Sequence, residues 1–322
     1  MNRFFIHHNT TDLVNSIFFA LLTVAMTAWS HAIPPWWIFA SSNILIIILI
    51  RVLASYSARR GHLWNLVHGF YMLLLIPVAF KQMYYLVPAI HPVDYDAALI
   101  VIDRMLFGGD PTRWMHGCTH PVLTELLQLA YASYYFLPFI LAVDLYKKRR
   151  VKAFKTVFLF VILGFYISYL GYVAVPAIGP RFTLHEFENT EEELPGVLAA
   201  TALRVYTNTG ESIPPGTPYP AAQVQRDAFP SGHTKITLLV IFLAFRYRSR
   251  TRWFIGVVGS LLIIATVYLR YHYVIDLFAG ALFAWLTVEL ALLLDHWWAQ
   301  RRQRFSSSLQ SGHNSILPSR QD

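Results

Sequence analysis

Pro230-Ser231-Gly232-His233, followed downstream by His272 and then by Asp276, is a set of residues with chemistry in it. Proline followed by serine is a helix-start signal. The free N–H groups of a turn beginning near Gly232 then form a cradle for an anion, with Ser231 as the cap and Gly232 permitting close approach. His233 falls beside that anion. His272 and Asp276 are spaced i and i+4, and they share a face if the segment is helical. The carboxylate then accepts a proton from one imidazole nitrogen while the other nitrogen faces a substrate. Such a histidine is prepared for nucleophilic attack. Upstream, Arg181 stands in a proline-bounded turn, Pro176 to Phe182, after a long apolar segment. A guanidinium suits a tetrahedral oxyanion because its planar fork gives two parallel, charge-assisted hydrogen bonds.

Together these three segments resemble the type 2 phosphatidic acid phosphatase (PAP2) superfamily, whose signature is an arginine-containing first motif, a PSGH second motif and an H-x-x-x-D third motif. The order and the apolar context match, over roughly residues 64–295. The resemblance implies that His272 is the nucleophile that forms a phosphohistidine and Asp276 its orienter. It makes His233 the acid that protonates the leaving group, and Arg181, Ser231 and Gly232 the phosphate holders. Two cationic positions of the signature are not cationic here: Ala174 stands where the first motif opens with lysine, and Ala265-Thr266 where the third carries Ser-Arg. Lys235 and Arg270 are the nearby replacements. Arg270 would point away from His272 on a continuous helix, an objection that a break near Tyr271 removes. Gly179 to Phe182 with Tyr268 to Leu277 is similar to the inositol phosphorylceramide synthase-like branch, which also lacks the third-motif arginine. Characterised eukaryotic members of that branch transfer phosphoinositol and carry a longer second motif.

Other chemistries fit less well. His233, His272 and Asp276 form a His-His-Asp set of the kind that binds zinc, but neighbouring cations disfavour a metal ion, and neither a metal nor a cofactor is expected. A serine hydrolase at Ser231 lacks the first glycine of G-x-S-x-G, because Phe229 stands there. Asp94, Asp96, Asp103 and Asp110 read as solvated loop carboxylates. Tyr134-Tyr135, Trp36-Trp37 and Trp297-Trp298 read as an interfacial belt.

The elements that hold these residues are membrane helices. Of the 322 residues, 56% are hydrophobic and only 14% charged, with mean hydropathy +0.44, which excludes an ordinary soluble domain. Apolar runs near 13–29, 36–53, 64–87, 121–144, 153–175, 233–247, 253–269 and 273–295 predict about eight spans, while 97–107 reads as interfacial. The expected fold is all-α, a polytopic helix bundle. Two leading helices (1–63) precede a six-helix core (64–299), and a disordered cytoplasmic tail (300–322) follows. Residues 176–230, rich in proline and glycine, are expected to form a structured loop over the site.

With eight spans, Arg51, Arg59 and Arg60, the run Lys147 to Lys155, Arg246 to Arg252 and Arg301 to Arg304 fall on one side, which the positive-inside rule makes cytoplasmic together with the termini. The acidic loop Glu186 to Glu193 and all three motifs fall on the other, facing the periplasm or a lumen. The net charge of +8 is thus accounted for by topology and anionic head groups, and no nucleic-acid partner is expected. The partners are the bilayer and a lipid phosphate. Cys118 is the only cysteine, so there is no intrachain disulfide, and nothing in the sequence sets an oligomeric state. The expected activity is phosphatase or phosphotransferase. A head-group transferase shares the first half-reaction, and a lipid carrier is the non-enzymatic alternative, although a carrier needs no oriented His–Asp pair.

Overall fold

A computed structural model describes residues 8–57 and 62–314. These residues are helical and contain no β-strand. In chain order the first helices are α1 (Thr10–Ala28), α2 (Trp36–Ser57), α3 (His62–Phe70), α4 (Met72–Ile90), α5 (Asp96–Phe107), α6 (Pro111–His116), α7 (Pro121–Ala132), α8 (Phe136–Lys147) and α9 (Val151–Ala174). Four short helices follow, α10 (Pro180–Thr183), α11 (Thr190–Glu193), α12 (Ala200–Gly210) and α13 (Pro220–Gln223), before α14 (Gly232–Arg246), α15 (Arg252–Tyr268) and α16 (Val274–Asn314).

Six stretches are long and apolar enough to cross a membrane: α1, α2, Leu66–Ile90, Pro121–Lys147, α9 and Val274–Arg301. The other two of the eight expected spans form α14 and α15, of 15 and 17 residues, short of the roughly 20 that a bilayer crossing takes. The reason lies in the motifs. Ser231 caps α14, and α15 stops before the turn that carries His272. The tail departs from expectation as well, since α16 runs on through Asn314. Residues 315–322, and with them the rest of the tail, lie outside the described residues, as do Arg59 and Arg60.

The axis of the bundle is α9. Its apolar window is 78% buried, against 22% for α2, and it packs on α1, α4, α8, α14 and α16. Exposed Ile44, Leu45, Ile48 and Leu49 line α2, an outward apolar face suited to lipid rather than water. Close backbone approach brings the motif helices together. A Cβ on Gly280 of α16 would lie 2.8 Å from the Ser231 carbonyl oxygen, so only glycine lets the cap of α14 rest on α16.

Residues 176–230 are ordered by charge as well as by turns. The Glu125 carboxylate accepts from the backbone N–H groups of Val197, Leu198, Ala199 and Ala200 at 2.7–3.2 Å. Buried Arg204 donates to the Leu194 carbonyl at 2.7 Å and pairs with Glu191 at 2.9 Å, and Lys81 donates to the Gly210 carbonyl. The α5 acids, expected to be solvated, are clamps instead. Asp96, 5% exposed, accepts from Ile178 and Gly179 N–H and from the Tyr273 hydroxyl. Asp103, 2% exposed, accepts from Val274 and Ile275 N–H at 2.8 Å. These bonds tie the first motif and the start of α16 to one helix. Asp110 and Asp94 pair with Arg104 and Arg226. Asp96 and Asp103 thus satisfy backbone N–H groups that burial would otherwise strand.

Candidate active site

Proline cannot donate to a preceding turn and serine caps well, so the chain starts α14 at Gly232. Ser231 Oγ accepts from Thr234 N–H at 3.1 Å, while its own N–H donates to the Asp276 carbonyl at 3.0 Å. The N–H groups of Gly232 and His233 have no intrahelical acceptor, as first-turn amides never do. This is the capped helix start on which the sequence expected an anion cradle.

His272 is not on a helix. It lies in the turn between α15 and α16, which Arg270 opens at φ +68°, and this is the break near Tyr271 that the sequence required. The Nδ1–H of His272 donates to the Ala228 carbonyl at 2.8 Å. Asp276 Oδ2 stands at 3.4 Å from that nitrogen and accepts chiefly from Tyr273 N–H at 2.8 Å. The orienting acceptor closest to His272 is thus a backbone carbonyl, with the carboxylate behind it. Because a carbonyl only accepts, Nδ1 carries the proton and Nε2 is left basic. Nε2 faces His233 Nδ1 at 3.4 Å. Burial lowers the His272 imidazole to about 4, against the opposing influence of Asp227. A neutral imidazole with an open Nε2 is the form that attacks phosphorus.

Arg181 is buried, with its carbon Cζ 4.7 Å over the Tyr271 ring. Its N–H bonds the Arg270 carbonyl at 3.0 Å, which joins the first motif to the third. Gly179, at φ +91°, makes that junction: a Cβ there would sit 2.6 Å from the Tyr271 carbonyl oxygen. One Arg181 nitrogen donates to Asn208 at 3.0 Å and another pairs with Glu211, while Nε is buried with no partner among the described residues. Its charge is felt at His272. Arg270 is placed differently. Its guanidinium pairs with Glu193 and donates to His116 Nδ1 at 3.0 Å, so it spends its charge on the loop. Lys235 also turns aside, because two residues along a helix is over half a turn from His233. Its Nζ lies over the Phe283 ring at 5.7 Å. The structure therefore brings together His233, His272, Asp276, Arg181, Ser231 and Gly232, and not Lys235 or Arg270.

Several neighbours had no motif to announce them. Tyr131 stacks on His233 with ring centroids 4.5 Å apart, and Tyr134, assigned by sequence to the belt, lies 4.2 Å from it. The Tyr134 hydroxyl donates to the Gly232 carbonyl. The Asp227 carboxylate interacts electrostatically with His272 and Arg181, and it is pushed up to about 6, chiefly by desolvation. An acid four residues before Ser231 was the available signal.

A family model of the PAP2 superfamily matches residues 97–290, from α5 into α16 with all three motifs inside. The chain belongs to the PAP2 superfamily. No curated protein and no solved structure matches it. Membership in the PAP2 superfamily suggests a phosphatase- or phosphotransferase-type lipid enzyme, and the six apolar helices suggest an integral membrane protein. The PAP2 match leaves α1 to α4 outside it.

Proposed function

We propose that this protein transfers phosphoryl groups from a lipid-linked phosphate through a phosphohistidine at His272. The observation that carries the reading is the fixed tautomer: Nδ1–H is held by Ala228 and Nε2 is directed at His233. A phosphate that replaces the His233–His272 contact lies between an attacking nitrogen and a proton donor. The Nε2 lone pair forms the N–P bond as the ester P–O bond breaks, and His233 gives its proton to the departing oxygen. Water or an acceptor hydroxyl then attacks phosphorus, His233 takes back a proton, and the N–P bond breaks. Arg181 and the first amides of α14 stabilise the equatorial oxygens throughout, so no step calls on a metal.

The helices α9, α14 and α15 support a non-cytoplasmic site. They carry cations at Lys147 to Lys155 and Arg246 to Arg252 at one end and the motifs at the other. The lipid chain stays among the helices while the head group reaches the motifs.

The deciding assay is a panel of lipid phosphates given to the purified protein with EDTA present, with and without inositol and diacylglycerol as acceptors. Acid-labile phosphate on His272 and release of inorganic phosphate without acceptor are expected. Turnover only with an acceptor present assigns the head-group transferase of the inositol phosphorylceramide synthase type. Binding without turnover assigns the carrier. Activity lost in EDTA and restored by zinc or magnesium overturns the metal-free reading.

A further inference from the structure

At the opposite end of α9 from His272, the run Lys147-Lys148-Arg149-Arg150 divides into two kinds of residue. Lys148 donates to Asp144 at 2.8 Å and Arg150 to the Tyr247 carbonyl at 2.6 Å, so both are spent within the protein. The side chains of Lys147 and Arg149, with that of Lys155 on the first turns of α9, have no hydrogen-bond or ion-pair partner among the described residues. These three converge on a cleft of about 710 Å³ with Met72, Phe154 and Phe158 in its lining. An adjoining cleft of about 180 Å³ shares Lys155 and adds Lys152. The wall is rigid. His68 on the cleft donates from Nε2 to buried Asp12 at 2.9 Å, and Ser57 bonds its other nitrogen at 3.1 Å.

We infer that this cleft binds the head group of an anionic glycerophospholipid, drawn from the leaflet opposite the candidate active site. Two facts select that occupant. Three cations around one concavity match a phosphodiester, and the aromatic and methionine lining has no use for a free phosphate but suits the upper acyl chains. The 24 residues of α9 rise about 36 Å, so this lipid and the substrate phosphate never share a site. Arg149 adds a further indication. It sits at φ +56°, a helix-end position where glycine is favoured over a side chain with a Cβ, so the fold alone does not call for arginine there.

The test uses the full chain in phosphatidylcholine nanodiscs doped with phosphatidylglycerol that carries a diazirine high in one acyl chain, with adducts mapped by mass spectrometry. Adducts are expected in 66–72 and 151–158. Arg149→Gly should fold at least as well as wild type yet lose about fivefold in adduct yield, the effect of one surface cation. Lys147→Gln, Arg149→Gln and Lys155→Gln together should abolish the adducts. The matched set Arg246→Gln, Arg250→Gln and Arg252→Gln, which removes the same charge from the same face, should leave them. Equal loss in the matched set, equal labelling by a phosphatidylcholine diazirine, or displacement by millimolar inorganic phosphate would each overturn the inference.

Discussion

At His272 two acceptors share one proton donor, and they are not equal. The Ala228 carbonyl at 2.8 Å holds the tautomer, while Asp276 at 3.4 Å contributes field and caps α16. His272→Ala should therefore reduce kcat by on the order of 10⁴-fold or more. Asp276→Asn should fall well short of the roughly 10⁴-fold loss seen where a carboxylate alone fixes the imidazole. Steady-state kinetics on one lipid phosphate compare the two, and equal losses would return the orienting role to Asp276. The sequence made the imidazoles and Arg181 legible because side-chain chemistry is written in residue types. It could not disclose Ala228, because every residue owns a carbonyl and only the fold chooses which one is used.

Asp227 and His272 also set a pH dependence with opposite signs. His272 is depressed from 6.5 to about 4, so its contribution to stability is complete above 6.5 and is lost as pH falls toward 4. Asp227 is raised from 3.8 to about 6, so its folded form binds the extra proton and its contribution is lost as pH rises through 6. Asp227→Asn removes the falling slope and lowers His272 further, so the thermal midpoint of the variant relative to wild type should climb with pH between about 4 and 6. A difference that stays level over that interval would remove Asp227 from the site.

Among the elements, α5 and the covering segment do what no motif foretold. Asp96 and Asp103 hold the first and third motifs on one helix, a function that depends on tertiary neighbours and so reads, in sequence, as four loop acids. The apolar runs were legible because hydropathy survives without contacts. The runs at 233–247 and 253–269 match α14 and α15 to within a residue; what hydropathy alone did not show is that the motifs end both helices short of a full crossing. The cover brings carboxylates to cations expected to hold phosphate, Glu211 to Arg181 and Glu193 to Arg270. Under the proposed mechanism a phosphate competes with Glu211 for Arg181. Glu211→Gln should lower KM about fivefold with kcat little changed, the effect of losing one charged competitor. A raised KM would make Glu211 a positioning anchor instead.

For the whole molecule, the separation of charge along α9, α14 and α15 is the quantity to test. In a Cys118→Ser background, a cysteine at exposed Glu192 should react with an impermeant maleimide outside intact cells, and one at exposed Arg250 only after the membrane is opened. Arg250 serves better than its neighbour Ser249, which is fully buried and bonded to Asp144. The reverse labelling would put His233 and His272 in the cytosol. The peripheral α2, which packs chiefly on α1 and α3, bears on how the chain is made. α1 and α2 are joined by a short turn and pack closely on each other, a geometry that would let the pair enter lipid as a hairpin during synthesis. Buried Asp12 on α1 takes its partners from His68 on α3 and from Tyr71 just after it, so on that route this carboxylate would stay unpartnered until the chain through Tyr71 is made.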